Sequence, residues 1–300
     1  MTSRRPLLVA SLLGFALATA SFAGQGNGSA NGNGAGSGGG SCTDPSACTP
    51  EGTGPYGPPT GGTPSGGALG SGGPNGAPGQ PAGGANGPSC SQQEKGALLL
   101  AYLETLPVAT LTESEAAWIL FVREEEKLAR DLYLAFAADS TLPAFSKVAE
   151  AEQRHFDLTG WLIARYDLVD PAFGRLPGQF TNSTLQALYD ELLAIGGESD
   201  LAALTAAGLV EETDLVDVGE LDPATSADDL ATVAQNLARG SRNHLRGFVQ
   251  ALANQAVTYE PVVLDAESYA EIIESETERG AVDVDGNTLP GTATCGGSAF

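Results

Sequence analysis

Hydrophobic and polar residues change their pattern near residue 93. Before it, large apolar side chains are rare once an opening apolar run from Leu7 to Ala20 is past. After it, apolar residues return at intervals of three and four, the signature of helices that bury one face. Helix ends can be placed from cap residues. A first short helix is expected over 92–103. Thr112 with Glu115 forms a capping box that opens a long helix, A, over about 113–138. Pro143 opens helix B, to about 166. Asp170-Pro171 and Gly174 to Gly178 mark a loop, and a shorter helix follows at about 183–195, stopped by Gly196-Gly197. Ser199 caps helix C, about 200–219. Ser226 with Asp229 is expected to start helix D, about 226–254, and Asp265 to cap a last helix, about 266–279. No alternating strand pattern of any length is present. The prediction is an all-α fold: a four-helix bundle of A to D with a crossover connection between the second and third long helices, plus short extra helices.

Each long helix carries a core stripe that is apolar except near its middle. On A it runs Ile119, Val122, Glu126, Ala129, Tyr133, Phe136. On B it runs Phe145, Val148, Glu152, His155, Thr159, Leu162, Tyr166. On C it runs Leu201, Leu204, Gly208, Glu211, Leu215, Val218, and on D Leu230, Val233, Leu237, Gly240, His244, Phe248, Ala251. Carboxylates inside a bundle cost several kcal/mol each unless paired or bound to a cation. Four helices with such groups at one height therefore point to a metal site, and Gly208 and Gly240 at that level are read as leaving room for it. Carboxylate oxygen with imidazole nitrogen suits iron, manganese or zinc. His155 and His244 are the only histidines in the chain. Glu152 and His155, three apart, share a helix face and can reach one ion. Alone, that spacing equally describes a surface salt-bridge pattern, and His244 alone equally describes a core histidine bonded to Ser241 or Asn236. Glu124 and Glu125 fall off the stripe and are expected to be solvated or paired with arginines. Asp214, three residues after Glu211, lies on nearly the same face. Tyr133 is placed either to hydrogen-bond a ligand carboxylate or to pack in the core, and Trp118 and Trp161 are read as packing residues.

Composition refines this picture. Of 40 glycines and 18 prolines, most of both precede residue 90, so residues 24–92 read as a flexible Gly/Asn/Ser/Pro linker. Arg4-Arg5, the apolar run and Ala20-Ser21-Phe22-Ala23 resemble an export signal cleaved near Ala23, ordinary or twin-arginine. Its apolar stretch is too short for a span, and no membrane span is expected in the mature chain. The expected organisation is a signal at 1–23, a linker at 24–92, a bundle at 93–280 and a loose tail at 281–300. The protein is expected to be exported: periplasmic, on the cell surface or extracellular. Cys42, Cys48, Cys90 and Cys295 fit an oxidising compartment, and three pairings are open. Net charge is −23. This excludes nucleic acid as a natural partner and keeps the chain soluble or attracts cations.

Several separated segments resemble an uncharacterised ferritin-like family of bacterial and archaeal proteins: Glu124-Glu125-Glu126-Lys127-Leu128-Ala129-Arg130-Asp131 with Tyr133, Glu152-Gln153-Arg154-His155, Gly178-Gln179-Phe180-Thr181-Asn182, Leu185-Gln186-Ala187-Leu188-Tyr189, Glu211-Glu212-Thr213-Asp214-Leu215, Gly240-Ser241-Arg242-Asn243-His244-Leu245-Arg246, and Tyr259-Glu260-Pro261. The resemblance covers about 110–275. Glu126-x-x-Ala129-Arg130-x-x-Tyr133 is also similar to the first metal helix of rubrerythrins. The resemblance implies a di-iron carboxylate site: single ligands Glu126 and Glu211, one pair Glu152 and His155, and His244 on D. Where that pattern has a second Glu, three residues before His244, this chain has Ser241. One carboxylate is missing, and Asp214 is a candidate to replace it. The expected cofactor is iron, one or two ions, with manganese or zinc as alternatives, and the expected partners are metal ions with oxygen or peroxide. An oxidoreductase of ferroxidase or peroxidase type is one reading. Others are a non-catalytic metal-binding or sensing module at the cell surface and an apo structural bundle. A homodimer is compatible with the sequence, which marks no contact face.

Overall fold

The computed structural model describes residues 91–293. The expected export signal, almost all of the expected linker, and the four cysteines lie outside the described residues. Among the described residues there are seven helices: α1 Gln92–Leu103, α2 Glu113–Asp139, α3 Pro143–Arg165, α4 Ser183–Gly196, α5 Asp200–Val218, α6 Asp228–Ala253 and α7 Ala266–Glu274. The fold is all-α; the sole bridge among these residues pairs Val282 with Thr288. Among them no helix is long and apolar enough to cross a membrane.

Caps explain most boundaries. Ser91 with Glu94 and Thr112 with Glu115 form complete capping boxes, and Ser199 accepts from the Ala202 N–H. Two ends differ from expectation. Ser226 does not cap α6, whose N-cap is Ala227 without a side-chain bond. Thr225 anchors the turn before the helix: its hydroxyl accepts from the Ala227 N–H at 3.1 Å and donates to Glu115. Asp229 is buried and accepts from Arg165 Nε and the Tyr166 hydroxyl, both at 2.7 Å. Helix α7 stops at Glu274, five residues early, because Ser275 is extended and the chain turns back to α6.

Helices α2, α3, α6 and α5 form a closed ring, each touching the next, with α4 against α2 and α5 and α7 against α6. Residues 118 and 133 of α2 meet 217 and 207 of α5, so these two run antiparallel. The core is two apolar clusters. One holds Leu128, Tyr133, Phe136, Phe145, Leu204 and Phe248, and the other Ile119, Val122, Leu158, Leu162, Val233 and Leu237. A belt of polar residues separates them at mid-height on all four helices.

The crossover from α3 to α4 is pinned to α2. Arg123 pairs with Asp170 at 2.9 Å. Lys127 donates to Asp131 at 2.5 Å and to the Leu176 carbonyl at 2.9 Å. Glu124 accepts from the backbone N–H groups of Thr181 and Asn182.

Residues 281–292, read as loose from sequence, are packed. Ala281 and Val282 are buried and Leu289 joins the cluster of Leu99, Leu103 and Trp118. Asn236 accepts from the Val282 N–H at 3.0 Å and donates to its carbonyl at 2.9 Å. Just before, Glu278 accepts from Arg242 at 2.7 and 2.8 Å and from Arg239 at 3.2 Å.

Candidate metal centre

Glu126, Glu152, His155, Glu211 and His244 come together in the polar belt, all buried. Their helices place them there by the three-and-four spacing that also buries Val122 and Tyr133 on α2 and Leu237 and Phe248 on α6. Two triads have ligand atoms within 4.8 Å of one another: Glu126, Glu152 and His155, and Glu152, Glu211 and His244. Glu152 belongs to both. Its Oε2 lies 2.8 Å from His155 Nδ1 and its Oε1 lies 2.7 Å from His244 Nδ1. The imidazole centroids are 5.6 Å apart. Glu126 Oε2 is 3.2 Å from His155 Nδ1, and Glu211 Oε2 is 3.5 Å from His244 Nδ1.

Several of these atoms are close without being satisfied. Glu126 Oε1, Glu152 Oε1, His155 Nε2 and His244 Nδ1 are buried and have no hydrogen-bond partner. Buried polar atoms are rarely left so. The contact between Glu152 Oε1 and His244 Nδ1 is short but not aligned as a hydrogen bond, so donor atoms converge on a common point. This donor set, oxygen and nitrogen with gaps of ligand size, fits a divalent first-row metal.

Electrostatics agree. Burial pushes the Glu126 carboxyl up to about 7, with His155 pulling against it. Burial raises Glu211 too, reinforced by Glu152. Against burial, His244 and then His155 hold Glu152 below the usual range. Burial likewise opposes charge on the imidazoles, but Glu126 and Glu152 hold His155 well above its ordinary value, and Glu152 and Glu211 lift His244 to about 9. The cluster without metal therefore retains protons that a cation would displace. Tyr133 donates to Glu211 Oε1 at 2.5 Å and so orients it.

Asp214 is buried beside the triads but belongs to neither. The Ser241 hydroxyl donates to its Oδ2, so the two residues meet where the resemblance has a second helix-D carboxylate. Gly208 makes room for a ring and not an ion: a Cβ there would sit 2.6 Å from the Tyr259 ring. His244 faces Glu152 and Glu211, while Asn236 bonds the Val282 backbone. Trp118 packs in the core with its Nε1 on the Asp217 carbonyl, and Trp161 lies under Arg165.

The expectation that Glu124 and Glu125 are solvated or paired with arginine is corrected. Both are buried. Glu124 holds the Thr181 and Asn182 backbone. Glu125 faces Asp217, and burial, then Asp217 and Asp214, raise its carboxyl well above the ordinary value. Sequence reasoning missed Glu125 and Asp217. The available signal was spacing: Glu211, Asp214 and Asp217 recur every three residues along α5.

A protein of Methanocaldococcus jannaschii described as uncharacterized protein MJ0754 is 38% identical over 182 residues, spanning 61% of this chain and 98% of that protein. A crystal structure titled as hypothetical protein MJ0754 from Methanococcus jannaschii DSM 2661 superposes with a TM-score of 0.56, over 58% of this chain and 99% of that one. Residues 115–276, which contain every residue of both triads, match the model of a family described as an uncharacterized protein domain, DUF2202. By that match and by its likeness to the Methanocaldococcus protein, the chain belongs to the DUF2202 family.

Proposed function

We propose that this protein is an exported, ferritin-like metal-binding protein. In this reading Glu126, Glu152, His155, Glu211 and His244 would hold one or two divalent metals, iron foremost, which would supply redox chemistry toward oxygen or peroxide. The observation that carries the reading is Glu152 itself, with one oxygen on each histidine. The closed ring of α2, α3, α6 and α5 has the form in which carboxylate-bridged metals are held, with inward ligands from all four helices. Charge supports it as well. The belt contains Glu125, Glu126, Glu152, Glu211, Asp214 and Asp217 against His155 and His244, so cations or protons must neutralise the excess.

Glu126 with His155 would hold one ion and Glu211 with His244 the other. Tyr133 keeps Glu211 turned inward. Ser241, standing where the resemblance has a carboxylate, donates to Asp214 and so keeps that carboxylate at the α6 side of the belt. Bound iron would supply one-electron chemistry toward the oxidant. The apolar clusters above and below exclude bulk water from the belt.

The test uses full-length protein loaded anaerobically with ferrous iron, counted by elemental analysis and then mixed with hydrogen peroxide. About two ions per chain and an optical change on mixing are expected. Failure to retain iron overturns the metal reading. Full occupancy with no change retains a binding or sensing module and overturns the redox part. A structural bundle without metal is the second reading, favoured by the raised imidazoles, which can neutralise the acids as cations themselves. It predicts that a chelator leaves thermal stability unchanged.

A further inference from the structure

Three more acids sit outside the two triads in the same belt: Glu125 on α2, and Asp214 and Asp217 on α5. Each is buried, and each has a carboxylate oxygen with no hydrogen-bond partner: Glu125 Oε2, Asp214 Oδ1 and Asp217 Oδ2. After burial, the charge of Asp217 and then that of Asp214 raise the Glu125 carboxyl. Ionised carboxylates have no hydrogen to offer one another, so these buried oxygens without a partner need either protons or a cation. Neither triad includes the three acids.

Their placement has a direction. Glu211, Asp214 and Asp217 are spaced by three along α5 and rise about 4.5 Å at each step. Glu211 is at the centre. Asp217 is in the last turn of α5, which ends at Val218. The carbonyls of that turn add negative potential where a cation would sit. Asp217 also lines a cavity of about 480 Å³ together with Trp118, Phe121, Glu124 and the exposed Glu220. Glu220 and Asp217 thus share the outer cavity, and Glu125 and Asp214 are the further buried acids between it and the level of Glu126 and Glu211.

We propose that Glu125 and Asp217 form a transit site for a divalent cation, through which metal passes from the Glu220 cavity by way of Asp214 to the buried centre. The inference rests on the metal reading above. A buried centre enclosed by apolar clusters needs an entry path, and a desolvating cation crosses such a layer only where anionic oxygens replace its water. The unsatisfied oxygens at Glu125, Asp214 and Asp217 are of that kind. Trp118 donates to the Asp217 carbonyl at 3.3 Å and fixes the outer end of the ladder.

The experiment follows loading of cobalt(II) into metal-stripped full-length protein by stopped-flow absorbance, with final occupancy by elemental analysis. The variants are Glu125→Gln with Asp217→Asn, nearly isosteric exchanges, and separately Glu220→Gln at the exposed mouth. The double variant is expected to load at least about tenfold more slowly, the equivalent of about 1.4 kcal/mol in the barrier, and to reach the wild-type cobalt count. Glu220→Gln is expected to slow loading by a smaller factor that vanishes at high salt. This single variant decides the matter if the double variant does not fold. Wild-type loading rates in the variants overturn the transit site and leave an acid pair sharing a proton. A lowered final count at an unchanged rate overturns it too, since these acids would then be resident ligands. Should the wild type take up no cobalt, the centre itself falls, and the route with it.

Discussion

Glu124, Glu125 and Glu126 follow one another on α2, and successive side chains on a helix leave its axis about 100° apart. One run of three acids therefore meets three surroundings: the crossover backbone, the α5 acids and the polar belt with its histidines. A single core stripe follows one direction only, which is why Glu126 was legible in the sequence while its two neighbours looked solvent-facing. Glu152, His155, Glu211 and His244 were legible for the same reason, each standing in an otherwise apolar row. The double duty of Glu152 was not, because it depends on the distance between α3 and α6. That duty predicts a contrast. Glu152→Gln should remove most metal from both positions, whereas Glu126→Gln should cost about one ion per chain, counted by elemental analysis of protein loaded with excess iron. A second prediction concerns pH. In metal-stripped protein Glu126 titrates near 7 against an ordinary 4.5, and His244 near 9 against 6.5. The folded state then holds more protons than the unfolded one from about pH 5 to 9. Both raised groups act in the same sense, and stability should fall as pH rises through that window. Glu152, held below its ordinary value, opposes this only at the acid end, below about 4.5. Urea midpoints at pH 5.5, 7 and 8.5 check the sign, and a midpoint that climbs with pH contradicts it.

At the scale of helices, boundaries were legible wherever a side chain caps its own helix, as Thr112, Ser199 and Asp265 do. They were not where the anchor is tertiary. The start of α6 depends on Thr225 reaching Glu115 on α2, and no local pattern announces that. Gly208 was legible as room at the level of the metal site, but not as the seat of Tyr259. That ring donates to Glu212 at 2.5 Å, and Glu212 also accepts from the N–H groups of Val262, Val263 and Leu264. The segment after α6 is thereby fixed to α5. Gly208→Ala places a methyl 2.6 Å from the ring and should cost about 1–3 kcal/mol, as overpacking does. Urea unfolding measures it.

For the molecule as a whole, metal that binds only the native state must raise its stability. Removing it should lower the melting temperature, by an amount equivalent to about 2.7 kcal/mol if the ion had been present at a hundred times its dissociation constant. Differential scanning calorimetry with and without chelator provides the comparison, and identical curves would favour the bundle without metal. The number of helices and their order were legible because apolar periodicity and turn-forming residues separate them, with side-chain caps at the starts of α1, α2, α4, α5 and α7. The packing of the last described residues was not, since Ala281, Val282 and Leu289 are short apolar islands among Gly, Asp and Thr.

The family pattern runs from 115 to 276, yet the cooperative body is longer at both ends. Leu99 and Leu103 of α1 share a cluster with Ala281 and Leu289, and Glu278 is the carboxylate that pairs with Arg239 and Arg242. A fragment cut to the recognised borders would bare the Trp118 and Leu162 side of the core and leave Arg239 and Arg242 without that carboxylate. Whoever expresses this domain should start no later than Ser91 and stop no earlier than Thr292; shorter pieces are expected to aggregate whatever their metal content.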